Sequence, residues 1–199
     1  MFNENAQEWG RSIARRIMTF FVNSPITPNM LTIAGFFLTL AVGAVIAGGY
    51  LVLGGVLMIF ATGFDLLDGA LAKLTDRAST FGAFLDSTMD RYADAALLGG
   101  VALYYLLNPQ PQGTLGVVLA FIALVGGGMV SYTRAKAESL KIECKVGLLA
   151  RPERIMILAA GLLLSGFWSD GLLAALLLLA VGTNFTAVQR IWHVYRTLN

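Results

Sequence analysis

Asp65, Asp68, Asp86 and Asp90 are the residues whose type and spacing point most directly to chemistry. On a helix, Asp65, Asp68, Gly69, Ala72 and Lys73 fall at i, i+3, i+4, i+7 and i+8 and share one face. Gly82, Asp86 and Asp90 follow at steps of four on a next helix, after a short polar connection. Two such helices pack as an antiparallel pair and present four carboxylates to one another. Carboxylates crowded among apolar helices repel, and each costs several kcal/mol or takes up a proton unless a cation joins them. Oxygen-only ligands suit Mg²⁺, or Mn²⁺, rather than zinc. Two ions about 3.5 to 4 Å apart can hold a diphosphate while one oxygen attacks and another leaves. Gly69 and Gly82 lack side chains, so a bulky phosphate can approach the backbone there.

The solvent around these helices is a bilayer. The 199-residue chain is 57% hydrophobic and 13% charged, about half the charged share of a soluble domain. Apolar stretches able to cross about 30 Å of hydrocarbon recur along nearly all of it. Six spans are expected, near Met30 to Ala47, Leu51 to Ala72, Gly82 to Leu107, Leu115 to Ala137, Pro152 to Phe167 and Gly171 to Tyr195. Ahead of them, Trp9, Ile13, Ile17 and Phe20 repeat at helical spacing between Glu8 and Val22, with Arg11, Arg15 and Arg16 on another side. That pattern fits a helix lying in the membrane interface. The fold class is therefore an all-α membrane protein, six transmembrane helices preceded by an N-terminal interfacial amphipathic helix. It forms a single domain over residues 1–199, with 1–28 juxtamembrane and 29–199 the six-helix bundle.

Basic residues fall in alternate connections, so the positive-inside rule puts both termini and the acidic site on the cytoplasmic side, which needs an even number of crossings. The net charge of +2 is too small to argue for nucleic acid. The single cysteine, Cys144, reads as a bystander thiol in a polar loop. No cleavable secretory signal is evident, because the first long apolar run follows a polar, Arg-bearing segment.

The stretch from Asp65 to Asp90 resembles the motif of the CDP-alcohol phosphatidyltransferase family. That motif runs Asp-x-x-Asp-Gly-x-x-Ala-Arg and, after eight intervening residues, Gly-x-x-x-Asp-x-x-x-Asp. The only departure is Lys73 in place of arginine, which keeps the charge and loses the bidentate fork. The resemblance implies metal ligation by Asp65, Asp68, Asp86 and Asp90, with Asp90 also the catalytic general base. It implies a CDP-lipid donor held by Gly69, Lys73, Ser79, Gly82 and the segment Pro28 to Thr32, including Asn29, Leu31 and Thr32. It also implies a homodimer. No Ser or His stands near the carboxylates with an activating partner, so direct displacement is expected.

A second polar constellation comprises Ser131 to Glu138, Ala150 to Arg154 and Gln189-Arg190. Arg134 and Lys136 close one span, Arg154 opens the next and Arg190 lies near the end of the last. Guanidinium groups gathered there suit a phosphorylated acceptor, although snorkelling side chains are the plainer reading. Thr183, Asn184 and Thr186 beside Arg190 would prefer a bundle interior to lipid. Within the family, Asp86 to Arg91, Ser131 to Glu138 and Arg151 to Arg154 look most like phosphatidylinositol phosphate synthases of prokaryotes. That likeness implies CDP-diacylglycerol, or an archaeal ether analogue, as donor and inositol 1-phosphate as acceptor. Glycerol 3-phosphate is the alternative acceptor, and a cation-coupled transporter the alternative of another class. His193 reads as an interfacial residue, Asp94 as a partner of the metal ligands or of Arg91, and Gly126-Gly127-Gly128 as a helix-packing stretch.

Overall fold

The structure is a computed structural model that describes residues 26–74 and 79–199, with side chains described outside 64–74. The interfacial helix expected between Glu8 and Val22 lies outside the described residues, as do the side chains of Asp65, Asp68 and Lys73 and the surroundings of Gly69.

Every described element is helical: α1 Pro28–Ala47, α2 Leu51–Leu74, α3 Thr80–Leu107, α4 Gly113–Ser139, α5 Arg151–Leu164 and α6 Gly171–Leu198. These follow the six apolar stretches to within a few residues. Three of them, α1, α4 and α6, are each long and apolar enough to cross a membrane. The other three are shorter or interrupted by charge. In α2 the purely apolar part runs Leu51–Gly63 before the first two aspartates, α3 bears Asp86, Asp90, Arg91 and Asp94 in its first half, and α5 has only 14 residues.

The chain divides into two compact units. One comprises residues up to Leu38 together with Phe60–Asp90, and the other Thr39–Ile59 with Arg91–Asn199. In the first, α1 and α3 begin alike. The Thr27 hydroxyl accepts a hydrogen bond from Met30 N–H at 3.3 Å, with Pro28 at the first helical position, and the Ser79 hydroxyl accepts one from Gly82 N–H at 2.9 Å. Both are N-caps that satisfy a backbone donor no residue of the helix can reach.

In the second unit α6 packs along α4 and α5. Close approach depends on missing side chains: a Cβ at Gly43 would sit 2.5 Å from the Ala96 carbonyl oxygen, so this half of α1 meets α3 backbone to backbone. Asn108, just beyond α3, donates from Nδ2 to Tyr104 O at 3.0 Å and to Ala47 O at 3.5 Å, tying that end of α3 to the end of α1.

The outer surface is far more apolar than that of a soluble bundle. Phe37, Phe60, Phe121, Val181, Phe185 and Val188 are exposed on helix faces, while Thr183, Thr186, Arg154 and Arg190 are buried. Apolar area left outward on this scale marks contact with lipid. Thr183 and Thr186 lie inside, as their sequence position suggested. Asn184 lies partly inside, its Nδ2 donating to Ala180 O at 2.8 Å and Ile122 O at 3.4 Å.

Candidate functional site

In the first unit the structure brings together three residues assigned to the donor. Asn29 stands in the first turn of α1, Ser79 caps α3 and Gly82 closes the first turn of α3. A Cβ at Gly82 would lie 3.1 Å from Asn29 Oδ1 and 3.1 Å from Ser79 Oγ. The first turns of two helices therefore converge on a spot that a side chain would fill. Backbone N–H groups at a helix start favour negative charge, and two such starts suit a diphosphate. Asp86 and Asp90 continue from Gly82 at steps of one turn along α3, and both are partly accessible.

Leu31 and Thr32, expected in the same set, are buried, and Thr32 Oγ1 donates to Pro28 O at 3.2 Å. They shape the start of α1. Among the described residues no three of His, Cys, Asp and Glu gather as a metal group. Two of the four expected ligands, Asp65 and Asp68, have side chains outside those described. The residues that are described fit a divalent cation in donor type, being carboxylate oxygens on successive turns beside a bare anion cradle.

In the second unit the basic residues take up three distinct arrangements. Arg134 is exposed and donates from Nε to Glu138 Oε1 at 2.8 Å, an i,i+4 pair along α4, with Lys136 exposed nearby in sequence. Arg154 is only 8% exposed and donates from Nη2 to Asp94 Oδ2 at 2.7 Å, while Arg151 Nε lies 3.6 Å from Asp94 Oδ1. Arg190 is 3% exposed, with Nε donating to Val146 O at 2.9 Å and Nη1 donating to Val130 O. Arg134, Arg154 and Glu138 are all among the charges that act on Arg190, so the three arginines share one electrostatic neighbourhood.

Asp94 thus departs from the expected pairing with Arg91. The partner given by this geometry is sixty residues away in sequence. No local spacing could have announced it.

A cavity of about 140 Å³ opens within the second unit. Arg91, Asp94 and Arg154 line it together with Leu97, Leu124 and Leu158. The glycine triplet divides by role. A Cβ at Gly126 would strike Thr183 and Asn184 of α6, one at Gly127 would come 3.4 Å from Arg154 Nε, and one at Gly128 would meet nothing within 4 Å. Gly126 is the packing residue expected from sequence, whereas Gly127 and Gly128 line the cavity.

The connection between α4 and α5 carries a feature the sequence did not announce. It is fastened to α6 by side chains at positions 186, 190 and 193. Thr186 Oγ1 accepts from Leu149 N–H at 3.1 Å, Arg190 Nε reaches Val146 O, and His193 Nε2 donates to Glu143 O at 3.0 Å. Gly147, at φ +116°, lets the backbone pass beside Thr186 and Arg190. Cys144 is wholly buried here with Ala137, Ile142 and Val194, which corrects its reading as a bystander thiol in a polar loop. An apolar patch beneath the connection takes the thiol as a small hydrophobe. His193 is correspondingly a fastener of this segment. Lys145 Nζ, 2.6 Å from Glu143 Oε1, holds that exposed carboxyl below its ordinary range.

Comparison with known proteins decides the family, because the family model for CDP-alcohol phosphatidyltransferases matches residues 25–188. The chain belongs to the CDP-alcohol phosphatidyltransferase family. It is 36% identical to the archaetidylinositol phosphate synthase of Methanothermobacter thermautotrophicus, over 98% of this chain and 97% of that one. It is 32% identical to the phosphatidylinositol phosphate synthase of Corynebacterium glutamicum, over 90% of this chain and 82% of that relative. Among solved structures, the Mycobacterium tuberculosis phosphatidylinositol phosphate synthase with CDP-DAG bound matches with a TM-score of 0.86 and 32% identity, covering 92% of this chain and 94% of that one. The same enzyme in complex with manganese and citrate matches with a TM-score of 0.82, covering 92% of this chain and 88% of that one. As a member of this phosphatidyltransferase family with outward apolar helices, the chain is an integral membrane enzyme.

Proposed function

We propose that this enzyme transfers the phosphatidyl group of CDP-diacylglycerol, or of an archaeal ether analogue, to inositol 1-phosphate, yielding phosphatidylinositol phosphate and CMP. The observation that carries the reading is the convergence of Asn29, Ser79 and Gly82 at two helix starts, directly before Asp86 and Asp90 in a chain whose relatives bear synthase names. Asp65, Asp68, Asp86 and Asp90 hold a divalent ion, Mg²⁺ or Mn²⁺, and two ions suit four carboxylates. A bound pair would supply charge neutralisation at the diphosphate. The manganese complex of the structural relative supports a divalent site of this kind.

This chain's own residues do the rest. Gly69, Lys73, Ser79, Gly82, Asn29, Leu31 and Thr32 seat or shape the CDP moiety, the Ser79 O–H still being able to donate while its oxygen accepts from Gly82 N–H. Asp90 takes the proton of the acceptor hydroxyl as that oxygen attacks phosphorus, and CMP departs in the same displacement. Arg134, Lys136, Arg154 and Arg190 hold the acceptor phosphate, with Arg154 and Arg190 fixed in advance by their protein partners. Six crossings, an N-terminal interfacial helix, cytoplasmic termini and active site, one domain over residues 1–199 and a homodimeric state complete the proposal.

Incubating the purified protein with CDP-diacylglycerol, Mg²⁺ and either inositol 1-phosphate, free inositol or glycerol 3-phosphate tests it. Phosphatidylinositol phosphate from the first alone is the expected product. Phosphatidylglycerophosphate would reassign the acceptor, and no metal-dependent CMP release with any of them would remove the transferase reading.

A further inference from the structure

We propose that Asp94 is a positioning residue for acceptor binding, acting through Arg154. The inference rests on the reading of Arg154 as a phosphate ligand. It starts from the cavity. Three of the helices lining it place polar or small residues at one end and apolar ones at the other: Arg91 and Asp94 precede Leu97 on α3, Arg154 precedes Leu158 on α5, and Gly127 and Gly128 follow Leu124 on α4. Charge is thus confined to one end of an otherwise apolar space.

At that end Asp94 Oδ2 takes a single guanidinium nitrogen, Nη2, at 2.7 Å, and its other oxygen faces Arg151 Nε at 3.6 Å. A guanidinium offers five N–H donors in a planar fork. One short bond at Nη2 fixes the plane and leaves Nε and Nη1 on its other edges. The wall beside Nε is Gly127, where even a Cβ would stand 3.4 Å away, and Gly128 next to it faces open space. An oxyanion therefore has room beside the edge Asp94 leaves uncovered.

A long arginine that must find its geometry during binding loses side-chain freedom at that moment. Asp94 makes Arg154 lose it during folding. Asp94 touches neither substrate nor reacting atoms in this account, so its removal should weaken the grip on the acceptor and leave the donor unaffected.

Steady-state kinetics of the full-length enzyme in detergent, with CDP-diacylglycerol, Mg²⁺ and inositol 1-phosphate, test the proposal on Asp94→Asn, Arg154→Ala and the double variant. Asp94→Asn should raise the acceptor KM about tenfold, within the range for coupled neighbours, with donor KM and Mg²⁺ requirement unchanged. Arg154→Ala should raise the acceptor KM more, and adding Asp94→Asn to it should change nothing further. Additive effects, a shifted Mg²⁺ requirement, or an unchanged acceptor KM in Asp94→Asn would overturn the proposal while an Arg154 effect kept the acceptor reading. An unchanged acceptor KM in Arg154→Ala would overturn both. If Asp94→Asn fails to accumulate, Asp94→Glu keeps the charge and displaces the guanidinium; an acceptor KM about threefold higher is expected there, and a wild-type value overturns the proposal.

Discussion

The proposed donor and acceptor sites of this enzyme would hold anions by different physical means. Around Asn29, Ser79 and Gly82 the groups are set by the helices themselves: capped helix starts, a position without a Cβ and carboxylates at fixed helical steps. Around Arg134, Arg154 and Arg190 they are long side chains, each restrained by a partner of a different kind: a surface glutamate, a largely buried aspartate and two main-chain carbonyls. Backbone sites are fixed once the helices form. Side-chain sites need a second layer to hold them, and for Arg154 and Arg190 that layer is drawn from residues distant in sequence.

Substitutions should separate these two regimes, beginning with the greatest loss. Asp90→Asn should lower turnover by about a thousandfold or more while the melting temperature stays near wild type, since it removes both the proposed base and a proposed ligand charge. Near-normal CMP release in that variant would leave the carboxylates without their assigned task. Chelation should have a comparable effect on CMP release, reversed by adding Mg²⁺ or Mn²⁺; activity that persists in chelator would speak against a metal site.

Next comes Arg190→Ala, which removes a fastener and a proposed acceptor ligand together. It takes a donor from the Val130 and Val146 carbonyls and should lower stability by about 2 kcal/mol as well as raising the acceptor KM, donor KM staying level. A stability loss without any change in acceptor KM would make Arg190 a fastener alone. Ser79→Ala removes a helix cap and should cost about 1 kcal/mol, with donor KM rising and acceptor KM unchanged. Arg134→Ala should alter stability by less than about 0.5 kcal/mol, because its pair is exposed, so any kinetic change there reports on substrate. Smallest of all, Lys73→Arg should keep or slightly lower the donor KM, and a large increase would give Lys73 a different task.

The contrast also explains what could be read from the chain before its fold was known. The helices were legible because their apolar stretches are long, and the carboxylates because a helix converts spacings of three and four directly into a shared face. Ser79 was expected only through the resemblance, as a donor residue, and its capping role came with the fold. The arginines were legible as a type only. Asp94 and Arg154 meet across sixty residues, and Arg190 binds backbone carbonyls, which carry no side-chain signature at all. For the same reason the burial of Cys144 was hidden: the residues around it look polar, and only the folded connection shows the patch it covers.

The connection held at Glu143, Val146 and Leu149 by His193, Arg190 and Thr186 behaves as a zipper with numbered teeth. Adding or deleting one residue between Glu143 and Leu149 would put at least one tooth out of phase and shift Arg190 with it. Engineered epitope tags or length changes therefore belong outside this connection.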